Sequence, residues 1–315
     1  MPAAVELALI VESGPLEAQA VLLVESVRRW GGRHADAAVT AVSPRAGRRP
    51  ARTTARALRR LGAELVELDV AGACPAYPTS WRVHVLAALE ARPGPDVLVQ
   101  MDTDTVFLGD IGPLCEDAPA MARPVDVKGM GSTGPGDPYE PYWEALCALA
   151  GVGVDALPWV RATHNGGFVA ARREHGLFAR AEDLFVRSVG ADLRPHAGLG
   201  LNVTAGAGEV GVAGSEWWGS AQAVVAVAAA ALGFEIAPLP PGVNVPMHSW
   251  RELEPAPVPV LHAHYHWLLA DPLPPENPML DPSVIRDPRA LALLRERAPL
   301  PLTPPRRPRV LSLGR

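Results

Sequence analysis

Two aspartates one residue apart, Asp102 and Asp104, interrupt the apolar, β-branched run "VLVQMDTDTVFLGDI" (97–111). In a strand, residues i and i+2 face one side, so both carboxylates would converge on one point. Ionised carboxylates side by side repel unless a cation or a donor lies between them. One or two carboxylates, with a phosphate completing the shell, are what Mg2+ or Mn2+ prefers. No other Asp-x-Asp tripeptide occurs in the chain. A second constellation is "HAHYH", where His262, His264 and His266 fall at alternate positions of an apolar run. Strand spacing puts all three on one face, available to a metal or a phosphate. A zinc site made of all three histidines is a rival that the spacing alone permits.

Two further stretches carry chemistry. In "THNGGFVAARR" the adjacent Gly166 and Gly167 read as a turn feeding a strand, permitting a positive φ or a close backbone approach to a ligand; Asn165 is the polar group there. In "SEWWGSAQAVVAVA", Glu216 stands beside Trp217 and Trp218, ahead of a buried helix carrying Gln222. Aromatic rings beside a carboxylate suit the apolar face and the hydroxyls of a sugar.

These residues need elements to hold them. The first hundred residues alternate strand and helix: strands at 5–11, 37–43, 64–70 and 96–102, helices at about Leu16 to Trp30, 52–62 and 79–91, with Thr79 or Ser80 as N-cap. Continuous apolar strands alternating with helices predict a parallel sheet covered on both faces. Ligands bind such sheets at the carboxyl ends of the strands, where Asp102 and Asp104 fall. Beyond residue 115 the pattern loosens: a strand over 121–127, a loop over 129–138, three helical stretches and a late strand over 257–269. From Pro272 the chain turns Pro-rich and then basic, which reads as a wrapping or partly disordered extension.

Composition narrows the classes. At 315 residues and 48% hydrophobic, one large domain with a sizeable core is available. A net charge of −5, mixed along the chain, argues against nucleic acid as a partner. Three cysteines without CxxC spacing exclude a disulfide framework and a thiolate metal site. The N-terminal "AVELALIVES" is too short and too acidic for a signal peptide, and the richest apolar run falls short of a bilayer span. A cytoplasmic protein without a transmembrane segment is the expectation. Oligomeric state cannot be read. Lys128 is the sole lysine, so arginine does nearly all the cationic work.

With these features in hand, the chain resembles the nucleotide-sugar glycosyltransferases of the GT-A fold, and within them glycosyltransferase family 8, whose members are retaining. "QMDTDTVFLGDI" looks like that family's signature, and "HNGGFVAARR" is similar to its asparagine and small-residue turn. "AQAVVAVAAAALGFEIAPLPPGVNV" resembles its glutamine helix and closing asparagine, which puts Gln222 and Asn244 at those positions. "LHAHYH" falls where the family supplies a metal-binding histidine. Two departures stand out. Ala221 replaces the aspartate before the glutamine, and no lysine follows the histidines, leaving Arg82, Lys128 or Arg251 to serve the diphosphate.

The resemblance implies an α/β, Rossmann-like, mostly parallel mixed sheet flanked by helices in a single large domain over 1–271. Residues 1–115 would form the nucleotide-binding half and 116–271 the donor-sugar and acceptor half, with 272–315 as a C-terminal extension. It implies a nucleoside-diphosphate sugar donor, a small-molecule or glycan acceptor, and Mn2+ or Mg2+ on Asp102, Asp104 and a histidine, His264 first and then His266 or His262. Val11, Glu12, Ser13, Arg82, Gln100, Asp102, Thr103, Asn165, Gly166 and Gly167 would contact the donor. Gln222 would lie beneath the anomeric carbon of a retaining enzyme. An inverting enzyme would instead use Glu216 as general base. A sugar nucleotidyltransferase shares the sheet and the metal-binding aspartate, though "VESGPLEAQA" lacks the Gly-rich, basic loop expected after its first strand. A non-catalytic nucleotide-sugar binder is the remaining alternative.

Overall fold

The computed structural model describes residues 3–70, 72–125, 129–205, 208–253 and 259–301. The predicted alternation forms: β1 (Val5–Ile10), α1 (Leu16–Trp30), β2 (Ala38–Ser43), α2 (Arg52–Arg60), β3 (Ala63–Glu67), α3 (Trp81–Glu90) and β4 (Val97–Met101). There follow β5 (Thr105–Phe107), β6 (Ala120–Val125), α4 (Glu140–Ala150), β7 (Thr163–Arg172) and α5 (Leu177–Gly190). The last third holds a short hairpin, β8 (Thr204–Ala205) and β9 (Gly208–Glu209), then α6 (Val212–Ser215) and α7 (Ser220–Ala231). It closes with β10 (Ala237–Pro238), β11 (Val245–Pro246), β12 (His262–His264) and α8 (Pro288–Arg297).

A seven-stranded sheet runs in the order β10-β6-β7-β4-β1-β2-β3, and a second sheet runs β11-β12-β5. Strands β4, β1, β2 and β3 are parallel, while β7 lies antiparallel between β4 and β6. The sheet is therefore mixed, mainly parallel, and flanked by helices. One face packs under α3, α4, α5 and α7 around Leu98, Trp143, Phe178 and Val224. The other packs under α1 around Leu7, Leu9, Val99 and Phe168. Burial on both faces is why β1 and β4 read as apolar runs, broken only by Glu6 and Gln100.

Three local expectations change. The glycines of "HNGGF" do not make a turn: both lie inside β7, paired through Phe168 with Met101, and neither has a positive φ. The late strand is three residues long, because Tyr265 N–H donates to the Asp104 carbonyl (2.9 Å) and His266 takes φ 52°; its residues 257 and 258 lie outside the described ones. Neither Thr79 nor Ser80 caps α3. Ser80 has helical dihedrals, and its hydroxyl donates to the Tyr77 carbonyl (2.7 Å).

Residues 272–301 wrap as a packed segment. Met279, Ile285, Leu291 and Leu294 form a third core with Leu22, Val106 and Tyr265. Its helix, α8, starts where capping chemistry places it: the Asp287 carboxylate accepts from the N–H groups of Arg289 (2.7 Å) and Ala290 (3.3 Å), with Pro288 in the first turn. The terminal residues 302–315 lie outside the described ones.

Candidate metal and donor site

Strand β4 ends at Met101, and the chain turns through Asp102, Thr103 and Asp104 before β5 begins. The carboxylates thus converge at a corner between the two sheets, not by strand alternation. The corner is braced: Thr105 Oγ1 donates to the Asp102 carbonyl (2.8 Å), and the Thr103 hydroxyl donates to the buried Gln19 Oε1 on α1 (3.1 Å). Across it, β12 pairs antiparallel with β5, so that His264 stands opposite Thr105. This register delivers the imidazole to the aspartates. Ligating atoms of Asp102, Asp104 and His264 all lie within 4.8 Å of one another, and His264 Nε2 is 3.3 Å from Asp104 Oδ1. Two carboxylates and one imidazole make a group whose chemistry could hold a divalent metal ion. Burial alone would raise the Asp104 pKa, but the adjoining imidazoles outweigh it and hold the carboxyl well below its usual range.

Asn165, near the start of β7, orients the histidine. Its Oδ1 accepts from Gly167 N–H (2.7 Å) and Asn244 Nδ2 (3.1 Å) and lies 3.2 Å from His264 Nδ1. With the proton on Nδ1, Nε2 is left to face Asp104, the division of labour typical of metal-binding imidazoles. The two glycines make room for this arrangement. A Cβ on Gly167 would come within 2.4 Å of His264 Nδ1 and 2.5 Å of Asn244 Oδ1; one on Gly166 would come within 1.9 Å of Arg82 Nη1. Close approach, not a turn, is what these glycines supply.

Arg82, from the first turn of α3, lies 3.1 Å from Asp102 Oδ1 and donates to the Thr79 carbonyl (3.2 Å). Gln100, on β4, donates to the Gly166 carbonyl (2.7 Å). Arg82 and Gln100 also line a small cavity with Ala221 and Val225 of α7. Next to Ala221, Gln222 is buried, and its Oε1 has no hydrogen-bond partner among the described residues. At the carboxyl end of β1, Val11 N–H donates to Val42 O and Ser13 N–H to Arg48 O. Glu12 is bound by Arg45 (Nε to Oε1, 2.7 Å), whose guanidinium lies 5.6 Å from the Trp81 ring centroid. Ser13 Oγ is buried and unpartnered.

The structure separates the three histidines. His262 is fully buried edge-on between Phe107 (4.7 Å) and Phe168 (5.1 Å), with neither ring nitrogen hydrogen-bonded. Burial pushes it down to about 3, so it is a neutral core group. His266 stacks on His264 at 3.8 Å, and its Nδ1 lies 3.0 Å from His248 Nδ1. A zinc site from all three does not form, and His264 is the one beside the carboxylates. Glu216 is committed elsewhere: its carboxylate accepts from Gly198 N–H (2.8 Å) and Arg194 (2.5 Å), which hold its pKa down. Arg251 pairs with Glu276 at the surface, and Lys128 lies outside the described residues. Sequence reasoning missed Gln19 and His248. A polar residue on the apolar face of α1 was the available signal for Gln19; a lone histidine offered none.

One solved structure agrees with this architecture. The galactosyltransferase LgtC, solved with donor and acceptor sugar analogues, superposes with a TM-score of 0.51 at 10% identity, over 93% of this chain and 96% of that one. The bifunctional glycosyltransferase WbbM in its apo form gives a TM-score of 0.49 at 12% identity; 95% of this chain is covered, but the chain spans only about half (52%) of WbbM. A sequence comparison with curated proteins gives no match. The fold is that of GT-A glycosyltransferases. Residues 7–183, more than half of the chain, match the Rhodobacterales glycosyltransferase domain, and the chain belongs to that family.

Proposed function

We propose that the chain transfers a hexosyl group from a nucleoside-diphosphate sugar to a hydroxyl of a small-molecule or glycan acceptor, with retention of configuration and with Mn2+ or Mg2+ as cofactor. One observation carries the reading: Asp102, Asp104 and His264 meet at the carboxyl edge of the sheet, with Arg82 against Asp102. A cation held there supplies Lewis-acid stabilisation to the departing diphosphate. Arg82 contributes a second, fixed positive charge on the same side, the task for which family 8 places a lysine. Asn165 keeps Nε2 of His264 aimed at Asp104. Val11, Glu12 and Ser13 border the base and ribose, and the unpartnered Ser13 hydroxyl is a contact open to them. Gln100, Thr103, Asn165, Gly166 and Gly167 line the donor.

Retention is favoured over inversion by the state of Glu216. An inverting transferase needs a general base, and a carboxylate bound by Arg194 and Gly198 N–H is a weakened one. Gln222, with Oε1 uncommitted, fits the group beneath the anomeric carbon. A bacterial, cytoplasmic setting is part of the same reading, supported by the Rhodobacterales family and the arginine-rich composition.

The test is a thermal-shift panel of nucleoside diphosphates and nucleotide sugars with and without Mn2+, followed by donor turnover to free nucleoside diphosphate. A metal-dependent rise in melting temperature with one nucleoside diphosphate is expected. Asp102→Ala and Asp104→Ala should each abolish it, and turnover surviving in both would refute the site. A product NMR coupling constant reads the stereochemistry, and a β-product from an α-donor would sink the retaining version.

A further inference from the structure

Burial holds two arginines, Arg28 and Arg123, below the usual guanidinium range. Their surroundings differ. Arg28 is saturated by backbone carbonyls: Nε donates to Leu61, Nη1 to Ala35 and Ala37, and Nη2 to Gly62. Among the described residues Arg123 makes one hydrogen bond, Nη2 to the Val243 carbonyl at 3.2 Å. Its Nε–H is buried with no partner, and no carboxylate pairs with it among the described residues. A half-buried guanidinium with one weak acceptor is a costly arrangement, and no counter-charge among the described residues offsets it.

Its position suggests what does. Strands β6 and β4 both run antiparallel to β7, so they run parallel to each other and end at the same edge of the sheet. Arg123 lies near the carboxyl end of β6, at the irregularity between Ala122 and Pro124. Such irregularities re-aim side chains beside functional sites. The Val243 carbonyl it touches precedes Asn244, whose Nδ2 holds Asn165. Asn244 takes φ 53°, and its buried Oδ1 has no partner among the described residues. Arg123 is therefore separated from the asparagine cluster behind His264 by one residue of backbone.

We propose that Arg123 recognises an oxyanion, a carboxylate or a phosphate, carried by the sugar substrate of this site. A guanidinium fork matches either group through two charge-assisted hydrogen bonds. The inference rests on the donor reading above and extends it: one of the two substrates is an acidic sugar. The acid can belong to the donor sugar or to the acceptor, and the test separates them.

The test uses calorimetric titration of the full chain with Mn2+. In the donor arm, the nucleoside diphosphate selected by the thermal-shift panel is compared as its uronate and as its neutral hexose. In the acceptor arm, with that nucleoside diphosphate bound, the probes are methyl glucuronide, methyl glucoside 6-phosphate and neutral methyl glucoside. One arm should show the anionic probe binding about tenfold or more tightly than its neutral counterpart, as one charged hydrogen-bond pair supplies. The arm that responds names the substrate bearing the acid. Arg123→Met should erase the preference without weakening the neutral probe, and Arg123→Lys should retain part of it. Without ligand, Arg123→Met should melt at or above wild type, since it removes an unpaired buried charge.

Equal binding of anionic and neutral probes in both arms overturns the proposal, as does a preference that survives Arg123→Met. A lower melting temperature for Arg123→Met marks a structural arginine and overturns it too. If no nucleoside diphosphate binds, the donor reading has failed; the acceptor probes, run without nucleotide, still decide on Arg123.

Discussion

At the scale of single residues, Asn165 matters more than its chemistry suggests. An amide cannot match a carboxylate as a metal ligand, yet its one oxygen ties together Gly167, Asn244 and His264. Removing such an outer partner costs about 10–100-fold in metal affinity. Asn165→Ala should therefore weaken Mn2+ binding by about that factor, read by electron paramagnetic resonance titration of free Mn2+, and should also lower the melting temperature of the metal-free chain, since it leaves the buried donors of Gly167, Asn244 and His264 unpaired. Unchanged affinity would show that His264 is oriented by other means. The two aspartates were legible in the sequence because charged groups at the end of a buried strand have no packing use. The spacing left the choice of histidine open, because alternate positions assume a continuing strand and this one stops at His264; it was the family resemblance that put His264 first.

At the scale of elements, β7 carries the site. Its glycines let β4, the Asn165 cluster and Arg82 approach one another. Gly167→Ala puts a methyl group 2.4 Å from His264 Nδ1, against a ring held in a buried cluster. This change should abolish Mn2+ binding. Gly166→Ala meets the far end of a flexible side chain, Arg82 Nη1, so it should keep Mn2+ binding and weaken nucleoside diphosphate instead. The two variants, compared by the same titrations, separate metal ligation from diphosphate contact. The same strand carries a pH dependence. Burial pushes His164 down to about 4, below its unfolded value of about 6.5. The folded state thus keeps it neutral while the unfolded chain takes up a proton first. Stability contributed by the neutral form is complete above about 6.5 and is lost as pH falls towards about 4. His164→Phe should flatten the melting-temperature profile across that window, and an unchanged slope would assign the acid sensitivity to other groups.

At the scale of the whole molecule, the segment after Pro272 completes a third core instead of trailing from the domain. Leu294 is 1% exposed, packed in the cluster that includes Leu22 on α1 and Val106 on β5. Both elements brace the aspartate corner. Leu294→Ala should cost about 2–5 kcal/mol, measured by denaturant unfolding, although it touches no ligand-binding residue. By contrast, the Arg297–Glu25 pair that joins α8 to α1 is half-exposed at the arginine. Arg297→Ala should cost less than about 1 kcal/mol. The Pro-rich composition left open a wrapping or a partly disordered extension; over 272–301 the segment wraps, and the periodic "PRALALLRER" with Asp287 before it was the signal for its helix.

What the sequence determined by itself was whatever local periodicity and residue chemistry encode. It determined the strand and helix alternation of the first hundred residues, a metal-type carboxylate pair at the exit of the fourth strand, and the resemblance that named the fold. Only the tertiary structure decided which groups meet. It inserted β7 antiparallel between β4 and β6, brought His264 beside the two aspartates while burying His262 among aromatic rings, set Arg82 on Asp102, and bound Glu216 to Arg194. It also left Arg123 without a counter-charge among the described residues. The physical reason is that period and polarity report which side of an element is buried, whereas a contact between residues 165 and 264, or 82 and 102, depends on strand order and register, and those are settled by packing across the whole chain.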